Sequence, residues 1–407
     1  RALIVARPDD IVCMTAKVEK EYLRFLSKLG IGPKNCNLVV ASKDIHKNSD
    51  VRLLDLLMRD RRAVSTIRSL VKQNKKIVLN PYRVSERELK FTAVLKKVLG
   101  RKVCLLGGGS DVVDYANQKH NVRAKALELG VPVPDGKVIE LNVNGDGRLL
   151  DLTAVRTAIL KFINKTGRVL IKGSIGVMGD SLFIVENNAG SIQKALDKIA
   201  ERTDNRMYII EVMFDVIVSP NIHVFIEPGK GRIFCIGITD QLLRDDLVHE
   251  GNIYPPSANT LNEMISSSLK ISKWLQAVGY SGFAGFDFGE YFDTETGEIK
   301  HFLAEINPRI NAAFYPKVLM EHLNRKQTQN GRPTIEAFLS IEKKTKAKSF
   351  SELCGLCGDL FFKPETGKGL VPYNIGLLEH GTFNLAVFGK SGDEVLEMYE
   401  DFKKIIK

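Results

Sequence analysis

The sequence predicts an α/β and α+β multidomain protein whose N-terminal domain holds a parallel sheet. The chain has 407 residues, more than one compact core usually accommodates, so it divides into several domains. Its first third alternates short apolar runs with helix-period segments, the mark of strands joined by helical crossovers. Residues 207–330 are instead strand-rich, which reads as an antiparallel sheet covered by helices.

In chain order, ALIVA at 2–6 reads as a strand, 16–29 as a helix, NLVVA at 37–41 as a strand, 50–72 as a helix and KIVLN at 76–80 as a strand. A helix over 85–99 opens with Ser85 and Glu88 at capping-box spacing and ends at Gly100. KVCLL at 102–106 is a further strand. Gly107 to Gly109 then fit a tight strand-to-helix turn or a phosphate cradle, although the GxGxxG spacing is missing. A long helix to Gly130, the strand VIELN, a helix at 151–163 and the paired runs RVLIKGS and SLFIVEN form a small α+β unit. Later strands are MYIIEVMF, NIHVFIEP, RIFCIGITD, GFAGFDFGEYF and KHFLAEIN, with helices at 258–278 and 313–324. The C-terminal segment ends in an amphipathic helix at 392–406.

Composition excludes several classes. With 44% hydrophobic and 26% charged residues, extensive disorder is ruled out. The most apolar stretch, Tyr208 to Val218, carries Glu211 and Asp215 and falls short of the roughly 20 apolar residues of a membrane span. No signal-peptide pattern opens the sequence, and six scattered cysteines make no disulfide framework, so a cytoplasmic location is expected. Cys354 and Cys357 form a lone CxxC without the second pair that zinc needs. The formal charge of +11 favours anionic partners. Bases are read as interspersed with acids, and the densest run, Lys343 to Lys348, as a solvated helix end or linker, so neither a nucleic-acid nor a membrane partner is expected.

Two segments carry chemistry. Lys172 ends an apolar strand and precedes a loop containing Gly173, Ser174, Gly176 and Gly179; glycines admit phosphate oxygens to backbone amides and a lysine adds a point charge. A flexible hairpin with a surface lysine fits the same residues. Further on, Asp287 lies in one alternating strand, and Glu305 and Asn307, two apart, share a face of the next. If these strands pair through a hairpin turning at TETG, three oxygen ligands converge without histidine or thiolate, a donor set suited to Mg²⁺. A Glu305 paired with Arg309 is the simpler alternative, weakened by the apolar run around it.

Together, the lysine with its glycine loop, the acidic segment IIEVMFD and the D…E-x-N-P-R cluster resemble the ATP-grasp superfamily of carboxylate ligases. SPNIHVFIEPG, GITDQLL, GNIYPP, EINPRINAAFYP and LFFKPETGKGLVPYNIG are similar to segments of the peptide ligases of natural-product assembly, of the pheganomycin and butirosin types. The resemblance implies an ATP-grasp fold with a pre-ATP-grasp α/β domain at 1–112, a small lid lobe at 113–210, a large lobe with the metal site at 211–330 and a small C-terminal α+β segment at 331–407.

It also implies roles. Lys119, with Lys125 as the fallback, and Lys172 would hold ATP phosphates under the loop 173–180. Glu211 would sit by adenine, the backbone of Val212 and Met213 would read the ring edge, and Asp215 would serve the ribose. Asp287, Glu305 and Asn307 would hold Mg²⁺ (or Mn²⁺), and Arg309, alone or with Arg244, would meet the transferring phosphate or acyl phosphate. The arginine that D-alanine ligases carry before their metal aspartate is replaced here by Gly285 and Phe286. His223, Gln241, Arg244, Asn252 and Asn311 are candidate substrate contacts; for His223 a structural role fits equally. The implied activity is ATP-dependent joining of an amino-acid or peptide carboxylate to an amine, with a non-amine acceptor or a nucleotide-binding regulator as alternatives. Apolar positions on the N-terminal helices suit a core or a homodimer seam alike.

Overall fold

The computed structural model describes residues 1–41, 52–72, 75–142, 151–175, 181–202 and 206–406. They form two compact units: residues 1–106 with 251–255 and 311–407, and residues 107–250 with 256–310. Among the described residues no helix is long and apolar enough to cross a membrane.

The first unit opens with α1 (Ala2–Val5), a helix where ALIVA predicts a strand. Five apolar residues carry no period that separates the two, and the first strand is β1 (Val12–Met14). There follow α2 (Lys20–Lys28), β2 (Leu38–Val40), α3 (Leu53–Arg59), α4 (Arg61–Leu70), β3 (Ile77–Leu79), α5 (Glu86–Leu99) and β4 (Val103–Leu105). β1 pairs with β2 and β3 with β4, both parallel as expected. The single helix expected over 50–72, whose first two residues lie outside the described set, is two helices. Asp60 divides them by accepting the amides of Arg62 (2.9 Å) and Ala63 (3.0 Å) as the N-cap of α4. The Ser85/Glu88 capping box forms at α5.

The second unit contains α6 (Ser110–Ala116), α7 (Lys119–Glu128), β5 (Gly136–Glu140), α8 (Thr153–Thr166), β6 (Arg168–Gly173), β7 (Leu182–Glu186), α9 (Ala189–Ala200), β8 (Met207–Val212), β9 (Val216–Val218), β10 (Pro220–Ile226) and β11 (Ile233–Leu243). After β12 (His249–Tyr254) it continues with α10 (Leu261–Ala277), β13 (Gly282–Asp293) and β14 (Glu298–Asn307). The expected long helix to Gly130 breaks at Asn117 and Gln118, and the amide of Lys119 donates to Ser174 O at 3.1 Å. Gly107 and Gly108 have φ of 119° and 82°, and the Gly107 amide is bonded to Ser281 O, so the triple glycine is a tight turn. β8, read with the later strands, joins an antiparallel sheet of order β5-β8-β6-β7. The other strands order as β14-β13-β10-β11, with β9 beside β13.

The first unit resumes with residues 251–254 of β12, α11 (Phe314–Gln329), β15 (Ala337–Lys344), α12 (Phe350–Cys357), β16 (Gly369–Tyr373), β17 (Thr382–Gly389) and α13 (Gly392–Ile405). Its strands order as β12-β15-β17-β16. The lysine run is no linker: Lys343 and Lys344 end β15, and Thr345 and Ala347 are buried. Cys357 is buried on α12 with Sγ donating to Leu353 O (3.3 Å), and burial pushes its thiol up to about 12.

Candidate functional site

Hairpin β13/β14 turns where TETG predicts, closed by the Gly297 amide on Asp293 O at 2.8 Å. Its register sets Asp287 opposite Glu305 and Gly285 opposite Asn307. On the other side of β13, β10 sets Asn221 opposite Asp287 and His223 opposite Gly285. Two neighbouring rows thus cross three strands on one face, Asn221-Asp287-Glu305 and His223-Gly285-Asn307.

Asp287 is the centre of the cluster. Its Oδ1 accepts from Asn221 Nδ2 and from Gln241 Nε2 (2.5 Å), and its Oδ2 from Asn307 Nδ2 (2.7 Å). The same Asn307 amide reaches Glu305 Oε1 at 3.1 Å. Burial first, and the Glu305 charge second, push the Asp287 carboxyl well above its ordinary range. Burial acts upward on Glu305 too, but Lys119, Arg309, the Asn307 hydrogen bond and Lys172 outweigh it and hold that carboxyl down. Gln241, a candidate substrate contact, is thus one of the donors to Asp287. Asn221, which strand period places on the face of His223, takes a role that the sequence does not assign; its signal is a polar residue inside the buried run NIHVFI, directly across from the aspartate.

Lys119 is the first residue of α7, and its Nζ lies 3.4 Å from Glu305 Oε2. Lys172, 6% exposed near the end of β6, forms an ion pair with Glu211 on the adjacent β8 and approaches Ala304 O at 3.5 Å. Glu211, 3% exposed, also meets Arg123 Nη1 of α7 at 3.3 Å, while Arg123 Nη2 donates to Gly136 O. One buried carboxylate therefore lies between two cations. Arg123 also escaped the sequence reading, because a helical arginine looks like surface. Gly136 explains the close seating of β5: a Cβ there would meet Ile210 O at 2.5 Å and Glu211 Cβ at 2.6 Å.

Arg309 donates from Nη1 to Asn117 Oδ1 (3.4 Å), and its charge favours the ionised forms of Asp287 and Glu305. Ser174 is buried and its Oγ lies 2.5 Å from His120 Nδ1. Gly173 closes β6, its amide bonded to Ser181 O at 2.8 Å. Gly176 and Gly179, and with them most of the loop 173–180, lie outside the described residues.

The remaining candidates have partners of their own. The Val212 and Met213 amides donate to Asp135 O (2.8 Å) and Arg168 O (3.3 Å), so neither N–H is open to an adenine edge. The exposed Asp215 pairs with Arg168. Arg244, half-exposed, is held by Asp246 (2.6 Å) in its own turn and lies 4.0 Å from Glu250 of β12. Lys125, the fallback, pairs with Glu128 on the surface, its Nζ 5.7 Å from the Trp274 ring centroid. Buried His223 stays on the Asp287 face between Gly237 and Gly285. Asn252 and Asn311 belong to the first unit: Asn252 Nδ2 donates to Ser340 Oγ (3.4 Å), and Asn311 Oδ1 accepts the Phe314 amide (3.2 Å) at the start of α11.

Residues 1–96 match the family described as the Pre ATP-grasp domain. Across 97% of this chain and 97% of the other, the structure resembles the ADP complex of an N5-carboxyaminoimidazole ribonucleotide synthetase (TM-score 0.57, 12% identity). The fold is ATP-grasp. The Aspergillus clavatus N5-carboxyaminoimidazole synthase, in complex with ADP and 5-aminoimidazole ribonucleotide, is similar over 99% of both chains (TM-score 0.54, 12% identity). The biotin carboxylase domain of Hydrogenobacter thermophilus 2-oxoglutarate carboxylase, bound to MgADP and bicarbonate, is similar over 98% of this chain and 90% of that one (TM-score 0.55, 13% identity). Likenesses at this identity carry the fold alone.

Proposed function

We propose that the chain is an ATP-dependent carboxylate ligase that joins a carboxylate to an amine. The observation that carries this reading is the row of Asp287 and Glu305 with Lys119 and Arg309 on its rim, built in an ATP-grasp fold. Two carboxylates side by side in a half-buried site repel, and the Asn307 amide bridging both stands where a cation fits. Turning that amide would present Oδ1, so Asp287, Glu305 and Asn307 would hold Mg²⁺. When bound, the ion would neutralise nucleotide phosphate oxygens. Lys119 and Lys172 would attract the phosphates, and Arg309 would fix the oxygens of the group in transit.

In this reading a substrate carboxylate takes the γ-phosphoryl group of ATP, giving an acyl phosphate and ADP; the amine then displaces phosphate. An amino acid or peptide is the substrate class that the segments GITDQLL, GNIYPP and EINPRINAAFYP support. No side chain is assigned as base for the amine. The test is ADP and phosphate release with Mg·ATP against paired carboxylates and amines, including bicarbonate, with mass spectrometry of every active pool. Release that depends on two organic partners, with a product lighter than their sum by one water, is the expected result. A product containing phosphate, or bicarbonate serving as the only carboxylate, would overturn the amino-acid or peptide assignment.

A further inference from the structure

Charge is unevenly placed along this chain. Residues 52–102 hold 15 Lys and Arg against 4 Asp and Glu, while the remaining residues hold 44 of each, so the whole formal excess of +11 belongs to this segment. The expectation of interspersed charge, anchored on the run at 343–348, misses it because apolar core positions separate these cations.

The structure gathers one end of the segment. β3 and β4 run parallel with Ile77 opposite Val103, which sets Lys76 beside Lys102 and Lys75 beside Arg101 at their N-terminal ends. Arg101 ties the two stretches together, donating to Lys72 O at 3.0 Å and Lys75 O at 2.6 Å. Lys96 and Lys97 stand in the last turn of α5, just before Gly100 turns the chain into Arg101. Of these six cations the five lysines are exposed and Arg101 is half-buried, and none has a carboxylate partner among the described residues. The nearby Lys72 does, with Asp9 at 3.1 Å.

Like charges left without counter-charge repel, and an anionic partner relieves that repulsion. The chemistry of the patch selects among anions. Five of the six are lysines, point charges on flexible stems, not the guanidinium forks and ring platforms that grip nucleic acid. The exposed Tyr82 lies past the opposite end of β3. The helix end here is a C-terminus, whose carbonyls disfavour phosphate. Val78, 45% exposed and two residues from Lys76, offers the apolar contact that a protein partner covers.

We propose that this end of the first unit docks an acidic protein segment, rich in Asp and Glu. The test uses the full chain and fluorescent poly-L-glutamate, with polyuridylate RNA of equal length as comparison, at 50 and 200 mM salt, ~10 Å Debye length lying between them. Poly-L-glutamate should bind and weaken with salt. The combined variant Lys75→Glu/Lys76→Glu/Lys96→Glu/Lys97→Glu should bind about tenfold or more weakly, the sum of four modest exposed ion contacts. Lys346→Glu/Lys348→Glu, a charge change in the other basic run, should leave binding unchanged, and thermal midpoints and Mg·ATP binding should match wild type in both. If charge reversal unfolds the protein, Gln at the same four positions serves in its place. No binding at 50 mM salt, equal loss in the Lys346/Lys348 variant, or tighter binding of the RNA would overturn the proposal.

Discussion

Glu211 separates two accounts of the same residue. The family resemblance puts it beside adenine, whereas the structure makes it the shared counter-charge of Lys172 and Arg123. Replacing Glu211 with Gln keeps size and hydrogen-bonding capacity but removes the charge. Lys172 and Arg123, 6% and 8% exposed, would then face each other without compensation. Breaking a buried pair by removing one partner costs about 3–5 kcal/mol. At about 2–4 °C per kcal/mol for a unit of this size, the thermal midpoint should fall by roughly 6–20 °C. The assay is thermal unfolding followed by circular dichroism without nucleotide, with ATP and GTP binding measured on the folded variant. Adding Arg123→Met to Glu211→Gln removes one of the two stranded cations, so the double variant should recover part of the loss. An unchanged midpoint with a shifted ATP-to-GTP preference would refute the counter-charge account and return Glu211 to the base.

The remaining predictions touch other parts of the molecule. Glu305→Ala should abolish ADP release while the fold persists, since it removes a proposed metal ligand, and a normal release rate would end that assignment. Mg²⁺ should raise the thermal midpoint of the wild type in the absence of nucleotide but not that of Glu305→Ala. Asn221→Ala removes a donor to Asp287 and should raise the Mg²⁺ concentration needed for half-maximal turnover about tenfold or more, by the roughly 1.5–3 kcal/mol of a hydrogen bond to a charged group. Asp240 gives a pH test: burial, with Glu290 adding to it, raises its carboxyl above the ordinary 3.8 despite two bonds from Ser257. The native state then holds a proton that the unfolded chain has lost, so this group's contribution to stability falls as pH rises from about 4 through its native pKa. Asp240→Asn should flatten that part of the stability-pH curve, read as thermal midpoints from pH 4 to 8.

The row Asp287, Glu305 and Asn307 was legible because strand period puts Glu305 and Asn307 on one face and a hairpin with a clear turn brings Asp287 beside them; the metal role proposed for them came from the donor set and the resemblance. Lys172 was marked by its place before a glycine loop, whereas Lys119 came from the resemblance, since nothing in a helix pattern says which lysine faces a sheet. Arg123 and Asn221 were hidden for a related reason. Their roles arise from contacts between elements distant in sequence, 88 residues apart for Arg123 with Glu211 and 66 for Asn221 with Asp287. In the fold, the α1 error shows the limit of five-residue runs, and Asp60 and the Asn117–Gln118 break show that helix interruptions depend on side-chain caps and tertiary bonds that period counting passes over.

Asp287 and Glu305 face each other in a strand pair that runs from Asp293/Glu298 to Gly285/Asn307 and is broken once, beside them, by a bulge that leaves Ala304 unpaired in the register. Their separation is consequently a property of the backbone. A cation arriving there would find its ligands already gathered, the entropy of assembling them having been spent when the sheet formed. If the row binds a cation as proposed, its affinity would follow hairpin integrity: substitutions near the turn at 294–297, far from either carboxylate, should tune divalent binding by loosening the strands that carry it.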